Sequence, residues 1–196
     1  MAGTLYVVRH GQTLFNERKI IQGLIDSPLT AEGIEQARRV GRFIAHQNLT
    51  FDHAYASTLA CTHQTLELIT SMPFEREAGL CEWSFGEYEG ERAALMPPQP
   101  WGDYFVQFGG EGEREFSDRI NETLTNIMNR PGHKQVFVVS HGSAGFSFMK
   151  RWRDAADRRY TDVPGNCSMV RYGFDGTGFV LEEIFEQEDM RRVLGE

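Results

Sequence analysis

Two histidines occupy matching positions in distant parts of the sequence. His10 stands in Arg9-His10-Gly11, directly after the apolar run 5–8, and His141 stands in Ser140-His141-Gly142, directly after the apolar run 136–139. A neutral imidazole acts as a nucleophile, a base or a hydrogen-bond donor, and a neighbouring guanidinium binds two oxygens of an anion in a planar fork. These residue types predict chemistry on an anionic group.

The elements that precede the histidines predict where they lie. Both apolar runs are typical of strands that are buried on both faces of a parallel sheet. In an open α/β sheet, ligands bind where such strands end. We therefore expect His10 and His141 at the same ligand-binding edge.

The rest of the chain alternates between helix and strand patterns. Helices are predicted from the capping residue Thr30 to about His46, over 58–69, over 113–129 and after His141. Runs 169–174 and 179–184 flank Asp175-Gly176-Thr177-Gly178, which predicts a hairpin at the sheet edge. The sequence therefore predicts the α/β class, as a three-layer α/β/α sandwich with a mostly parallel central sheet.

The segment 85–112 differs from the rest because it is rich in glycine, proline and aromatic residues and has no clear period. A long irregular stretch within a compact domain is usually a lid or a binding loop. Its aromatic residues either cover an apolar part of a substrate or pack beneath the lid, and the pattern leaves both readings open. These residues are Trp101, Tyr104, Phe105 and Phe108.

Composition narrows the classes of partner. The chain has 196 residues, 40% of them hydrophobic, which predicts one domain over 1–196. Its net charge of −8 disfavours nucleic acid or an anionic membrane as partner. It has neither an apolar run of transmembrane length nor a signal-peptide pattern. Three cysteines without metal spacing disfavour a disulfide framework, so we expect a cytoplasmic protein. The oligomeric state is not predicted.

Several motifs in order along the chain resemble the histidine phosphatase superfamily, which contains the cofactor-dependent phosphoglycerate mutases and related phosphatases. The resemblance implies a phosphoglycerate mutase-like fold and extends over most of the chain. The matching motifs are Arg9-His10-Gly11-Gln12-Thr13 with Asn16, Gln22-Gly23, Ser57-Thr58-Leu59, Glu82, Phe85-Gly86-Glu87-Tyr88-Glu89-Gly90, Gly109-Gly110-Glu111, Ser140-His141-Gly142 and Asn166-Cys167-Ser168.

The resemblance implies three catalytic residues. His10 would be the nucleophile that attacks phosphorus, and His141 would donate to the phosphoryl oxygens in the transition state. Glu82 would be the general acid for the leaving oxygen and then the base for water. Four nearby glutamates are alternatives for this role: Glu77, Glu87, Glu89 and Glu91.

The resemblance also implies a substrate-binding pocket without a metal or other cofactor. Arg9 and Asn16 would bind phosphate oxygens, Gln22 and the Gly23 backbone would line the rim, and Gly142 would permit close approach at a helix start. These assignments predict a small phosphorylated molecule as substrate.

One position departs from the family. The arginine that makes the second guanidinium contact to phosphate is replaced here by Cys61, and His63 would point elsewhere on the same helix. A milder departure is Gly112, where the family usually has serine. The sequence thus predicts a phosphatase scaffold with a weakened anion pocket.

Four functions follow from this pattern. The leading one is hydrolysis of a small phosphomonoester through a phosphohistidine on His10. The alternatives are a phosphoglycerate mutase, a catalytically weakened protein that binds a phosphorylated ligand, and a metal enzyme that uses Cys61, His63 and the two motif histidines. The mutase must hold a bisphosphate, yet between Glu87 and Asp118 the chain offers only two basic residues, Arg92 and Arg114.

Overall fold

Six strands form one mixed sheet in the computed structural model, which describes residues 2–153 and 162–196. The strands are β1 (Gly3–Arg9), β2 (His53–Ala56), β3 (Glu75–Arg76), β4 (Gln135–Ser140), β5 (Met169–Phe174) and β6 (Phe179–Phe185). Their order across the sheet is β3-β2-β4-β1-β5-β6. All pairings from β3 to β1 are parallel, and β5 is antiparallel to both neighbours. The predicted mostly parallel sheet is confirmed.

Helices cover both faces of the sheet. They are α1 (Leu14–Glu17), α2 (Ala31–His46), α3 (Ala60–Ile69), α4 (Glu113–Met128), α5 (Gly142–Trp152) and α6 (Gln187–Leu194). Along β1, Leu5 and Val7 pack in one core cluster with α4 and α5, while Tyr6 and Val8 pack in the other with α2, α3 and α6. This alternation is the period of two expected of a strand buried on both sides. The three-layer sandwich is therefore confirmed.

Helix starts differ in how far the sequence determines them. The Thr30 side chain accepts a hydrogen bond from the Gly33 amide, as predicted for the cap of α2. Helix α3 begins at Ala60 rather than at Thr58, because the carboxylate of Asp26, distant in sequence, accepts from the Ala60 amide at 2.7 Å. Gly112 precedes α4 and supplies no side-chain cap.

The segment 85–112 is irregular, as predicted, and contains three short 3₁₀ turns at 86–88, 93–95 and 106–108. Phe105 is fully buried beneath it and makes edge-to-face contacts with Phe85 and Trp101. Phe105 thus belongs to the core, Trp101 and Tyr104 pack against it, and Trp101 also lines a cavity that is described below.

Some elements were not predicted. Strands β2 and β3 have four and two residues, and α6 has eight, so each offers too little sequence for a periodic pattern. Within the described ranges, no helix is both long and apolar enough to cross a membrane. The sequence also contains a basic run, Lys150, Arg151, Arg153, Arg158 and Arg159, of the kind that usually forms a solvated surface. Its last two residues lie outside the described ranges.

Candidate active site

The two motif histidines lie side by side. Arg9 is paired with Ser140 in the parallel register of β1 and β4, so the next residues, His10 and His141, leave the sheet at the same edge. Their ring centroids are 5.2 Å apart, and each residue is at most 3% exposed. The sheet therefore places two buried imidazoles at one carboxyl edge.

The local backbone fixes the tautomer of His10. Its Nδ1 lies 2.8 Å from the carbonyl oxygen of Gly11, and because a carbonyl only accepts, Nδ1 carries the hydrogen. Nε2 then holds the free lone pair. Burial, with the nearby positive charge of Arg9, lowers the pKa of His10 to about 4. The ring is therefore neutral and nucleophilic at neutral pH.

His141 is oriented by a hydroxyl network. Its Nε2 lies 2.7 Å from Oγ of Ser57, and that hydroxyl in turn lies 3.0 Å from Oγ1 of Thr62. Burial, and the neighbouring His10 and Arg9, lower the pKa of His141 well below its ordinary value. His141 is thus a neutral ring held at the N-terminus of α5.

The carboxylate of Glu82 caps α5. It accepts from the amides of Ser143 at 2.9 Å and Ala144 at 3.0 Å, in the first turn of the helix, where His141 provides no side-chain cap. It also accepts from the amide of Trp83 at 3.0 Å. Burial raises the pKa of Glu82, and these backbone donors and Arg9 oppose the rise. A carboxyl with a raised pKa beside two imidazoles is suited to acid and base catalysis.

The four alternative glutamates have other surroundings. Glu77 pairs with Arg130 at 3.4 Å, and Glu89 accepts from the amides of Leu24 and Phe85. Glu87 and Glu91 are exposed. Of the candidate carboxylates, Glu82 is the one that shares the walls of a cavity with the two histidines.

Sequence reasoning missed Arg119, which holds the loop of Glu82. Its guanidinium binds both carboxylate oxygens of Glu111 at 2.7 Å and donates to the carbonyls of Gly79, Cys81 and Glu82. The available signal was a charged residue between Phe116 and Ile120, on the buried stripe of α4. Arg119 therefore positions the loop of Glu82 and is not itself one of the residues that line the cavity.

Arg9 has an unused donor. One terminal nitrogen donates to the carbonyl of Pro164 at 2.9 Å, whereas its buried Nε is without a hydrogen-bond partner among the described residues. A Cβ on Gly142 would lie 3.1 Å from the guanidinium carbon and from Nε, so glycine leaves the space that Arg9 occupies. A buried N–H without a partner is costly, and an anion would satisfy it.

Asn16 and Gln22 complete the polar wall. The side-chain oxygen of Asn16 accepts from the Thr13 amide and from Asn166, which leaves its NH₂ group available to a ligand. The oxygen of Gln22 accepts from the Thr13 hydroxyl at 2.8 Å. Gly23 adopts a φ of 54°, in the left-handed region that favours glycine.

Cys61 lies beside the histidines but is fully buried, so a substrate reaches it only if side chains move. Its Sγ accepts from Nε2 of Gln22 at 3.6 Å and lies within 4.8 Å of a ring nitrogen of His10 and of His141. Burial and the charge of Asp26 raise the pKa of the Cys61 thiol to about 12. His63 points away, with Nε2 2.6 Å from the Ser57 carbonyl, as expected.

These side chains surround a cavity of about 390 Å³ that includes Arg9, His10, Asn16, Gln22, Glu82 and His141 in its walls. A second cavity of about 360 Å³ adjoins it and shares Trp101, Ser143 and Val163. Trp83, Phe116 and Phe146 contribute further aromatic walls to the second cavity. The ion pair of Lys150 with Glu113, at 3.7 Å, lies on the same wall, so the second cavity has both aromatic and charged sides.

Comparisons with known proteins agree with this architecture. A model of the histidine phosphatase superfamily (branch 1) matches residues 5–187. A probable phosphoglycerate mutase GpmB of Yersinia pestis (strain Pestoides F) is 33% identical over 199 aligned residues, which cover 91% of this chain and 90% of that protein.

Two solved structures share the fold. A phosphoglycerate mutase from Bacillus anthracis superposes with a TM-score of 0.83 at 23% identity, covering 98% of this chain and 97% of that one. A putative alpha-ribazole-5'-P phosphatase from Escherichia coli superposes with a TM-score of 0.78 at 22% identity, covering 95% and 98%. Since the family model matches most of its length, the chain belongs to the histidine phosphatase superfamily.

Proposed function

We propose that this protein is a phosphatase that hydrolyses small phosphomonoesters through a phosphohistidine on His10. The observation that carries the proposal is the hydrogen bond from Nδ1 of His10 to the Gly11 carbonyl, in a ring that burial keeps neutral. It leaves Nε2 as a nucleophile at a cavity that is also lined by Arg9, whose buried Nε has no hydrogen-bond partner among the described residues.

In the first step, the lone pair on Nε2 of His10 attacks phosphorus as the bond to the ester oxygen breaks. Glu82, in its protonated form, gives its proton to the departing oxygen. Arg9, Asn16 and His141 donate to the three phosphoryl oxygens, where charge is spread in the transition state.

In the second step, the Glu82 carboxylate takes a proton from water, and the oxygen of that water attacks phosphorus. The N–P bond breaks, its electron pair returns to Nε2 of His10, and inorganic phosphate leaves. Residues on this chain alone supply the nucleophile, the acid and the base, and the free cysteines Cys61, Cys81 and Cys167 suit a reducing cytoplasm.

A mutase is the second candidate because relatives carry that name. A mutase must retain a second phosphate near the first. Arg92 is exposed, and the side chain of Arg114 is 95% exposed and pairs with Asp118. Arg92 and Arg114 are therefore poorly placed to hold a bisphosphate, and Lys150, the cation that lines the second cavity, is paired with Glu113 at 3.7 Å.

The test combines turnover with capture of the intermediate. Purified protein should release phosphate from several phosphomonoesters, and rapid quench with labelled substrate should yield a phosphoenzyme that is acid-labile and stable to base. His10→Ala should abolish both signals, while the exposed control His46→Ala should retain both. Near wild-type turnover by His10→Ala refutes the covalent mechanism, and bisphosphate-dependent interconversion of phosphoglycerates without net hydrolysis establishes the mutase.

A further inference from the structure

Cys61 creates a group of metal-ligating side chains inside the candidate active site. We propose that His10, Cys61 and His141 bind a soft divalent cation such as Zn²⁺, and that this cation inhibits the enzyme. The binding proposal is independent of the proposed function, whereas the inhibition rests on it.

The geometry suits a small transition-metal ion. One ligand atom from each of the three side chains lies within 4.8 Å of the other two. A cation at the centre of a triangle with sides of 4.8 Å lies about 2.8 Å from each corner, so small side-chain rotations reach zinc bonds of about 2.0–2.3 Å. Three protein ligands leave a fourth position for water, as in many zinc sites that are open to solvent.

Each ligand is already oriented by a neighbour. The Gly11 carbonyl binds Nδ1–H of His10, so Nε2 is free to coordinate. The Ser57 hydroxyl orients the ring of His141: when Nε2–H donates to it, Nδ1 is free to coordinate, whereas in the proposed hydrolysis the hydrogen lies on Nδ1. The Gln22 amide donates to the sulfur of Cys61. Hydrogen bonds of this kind orient metal ligands and commonly accompany real sites.

The cation has a path to the cluster and a favourable change of charge. His10 and His141 line the cavity and are the first ligands that an ion from solvent meets, and the buried Cys61 sulfur becomes available to it through the same small side-chain rotations. On binding, the Cys61 thiol releases its proton to solvent and coordinates as a thiolate, which with Glu82 offsets the positive charge of Arg9. An arginine at position 61 would instead repel the ion, so the site is a property of this chain.

Inhibition follows from which lone pair the metal uses. Coordination of Nε2 of His10 occupies the electron pair that attacks phosphorus. While the ion is bound, the phosphohistidine cannot form. Contact with free zinc would therefore stop turnover until a chelator removed the ion.

Cobalt(II) is the probe because a cobalt–thiolate bond produces a near-ultraviolet charge-transfer band. Titration of the intact protein without substrate should give this band at one equivalent, and Zn²⁺ should displace it. Cys61→Ser should remove the band and weaken Zn²⁺ binding. Losing only the hydrogen-bond partner of a ligand typically weakens metal binding by about 10- to 100-fold, and losing the ligand itself should weaken it more. Cys81→Ser, a buried cysteine outside the cluster, should leave the band unchanged.

A wild-type protein without the band, or a Cys61→Ser protein that keeps it, overturns the site. The wild-type titration decides even if the variant fails to fold. The inhibition has its own assay: Zn²⁺ should stop phosphate release by wild-type protein, a chelator should restore it, and Cys61→Ser should need proportionally more Zn²⁺. The band is recorded without substrate, so it tests the metal site alone. Failure of the metal-site proposal is therefore distinguished from failure of the proposed phosphatase activity.

Discussion

Replacing Cys61 with arginine introduces the residue that the resemblance to the family implies at this position. The change places a guanidinium within reach of the His10 and His141 ring nitrogens, which lie within 4.8 Å of the Cys61 sulfur. Asp26 lies close enough to influence the Cys61 thiol and would partly neutralise the new charge. We expect the variant to bind the phosphoryl oxygens with a second fork of N–H donors.

The expected gain combines one favourable term and two opposing ones. A hydrogen bond to a charged group contributes about 1.5–3 kcal/mol, which corresponds to roughly 10- to 150-fold. Repulsion from Arg9 and displacement of the Gln22 amide from position 61 reduce this gain. We therefore expect kcat/KM for phosphomonoesters to rise by about tenfold, near the lower limit, with a lower inhibition constant for vanadate.

The assay compares wild type, Cys61→Arg and Cys61→Ala in steady-state phosphate release. Thermal melts establish that each variant is folded. Cys61→Ala removes the sulfur without adding a charge, so it separates the guanidinium contact from relief of crowding. A folded Cys61→Arg protein whose kcat/KM is unchanged or reduced refutes the view that position 61 is a vacated phosphate contact.

Further measurements test the proposed acid Glu82, the buried ring of His10 and the second cavity. Glu82→Gln should lower kcat/KM by about 10²- to 10⁴-fold for alkyl phosphates and much less for aryl phosphates with acidic leaving groups; equal losses on both would move the acid role elsewhere. The pKa of His10 is lowered from 6.5 to about 4, so the folded protein binds fewer protons than the unfolded chain between these values. The stability that this difference contributes is present above pH 6.5 and is lost as the pH falls toward 4. Between about pH 7 and pH 4, the free energy of unfolding in urea should fall by roughly 3 kcal/mol more for wild type than for His10→Gln. Equal decreases in the two proteins would contradict the buried neutral ring. Trp101→Ala should reduce the preference for benzyl over ethyl phosphate by about 2- to 10-fold, since both are alkyl phosphates and differ in the ring that the second cavity receives. An unchanged ratio would place the alcohol elsewhere.

Local signals explain why much of the fold was predictable. The runs that end at His10 and His141 are continuous and apolar, and Thr30 caps α2 through a residue three positions away. Such features depend on neighbours in sequence. The edge strand β3 has only two residues, so no local pattern marks it.

The candidate site was predictable in its members but not in its contacts. The motifs identified His10, Glu82 and His141 as candidates. The start of α3, however, depends on Asp26, and the loop of Glu82 depends on Arg119 of α4. Each of these contacts joins residues more than 30 positions apart. Only folding brings such distant residues together. For the same reason, the sequence identified Cys61 as a departure from the family but did not show that it lies beside His10 and His141.

The carboxylate that caps α5 links proton transfer to a helix. When Glu82 is ionised, it accepts from the amides of Ser143 and Ala144. Protonation of Glu82 would weaken both bonds, so the first turn of α5 would be held less firmly in the acid form than in the base form. In the proposed mechanism, the helix would thereby favour transfer of the proton to the leaving oxygen. The chemical shifts of the Ser143 and Ala144 amides should therefore report the charge on Glu82, and NMR can measure them without a substrate.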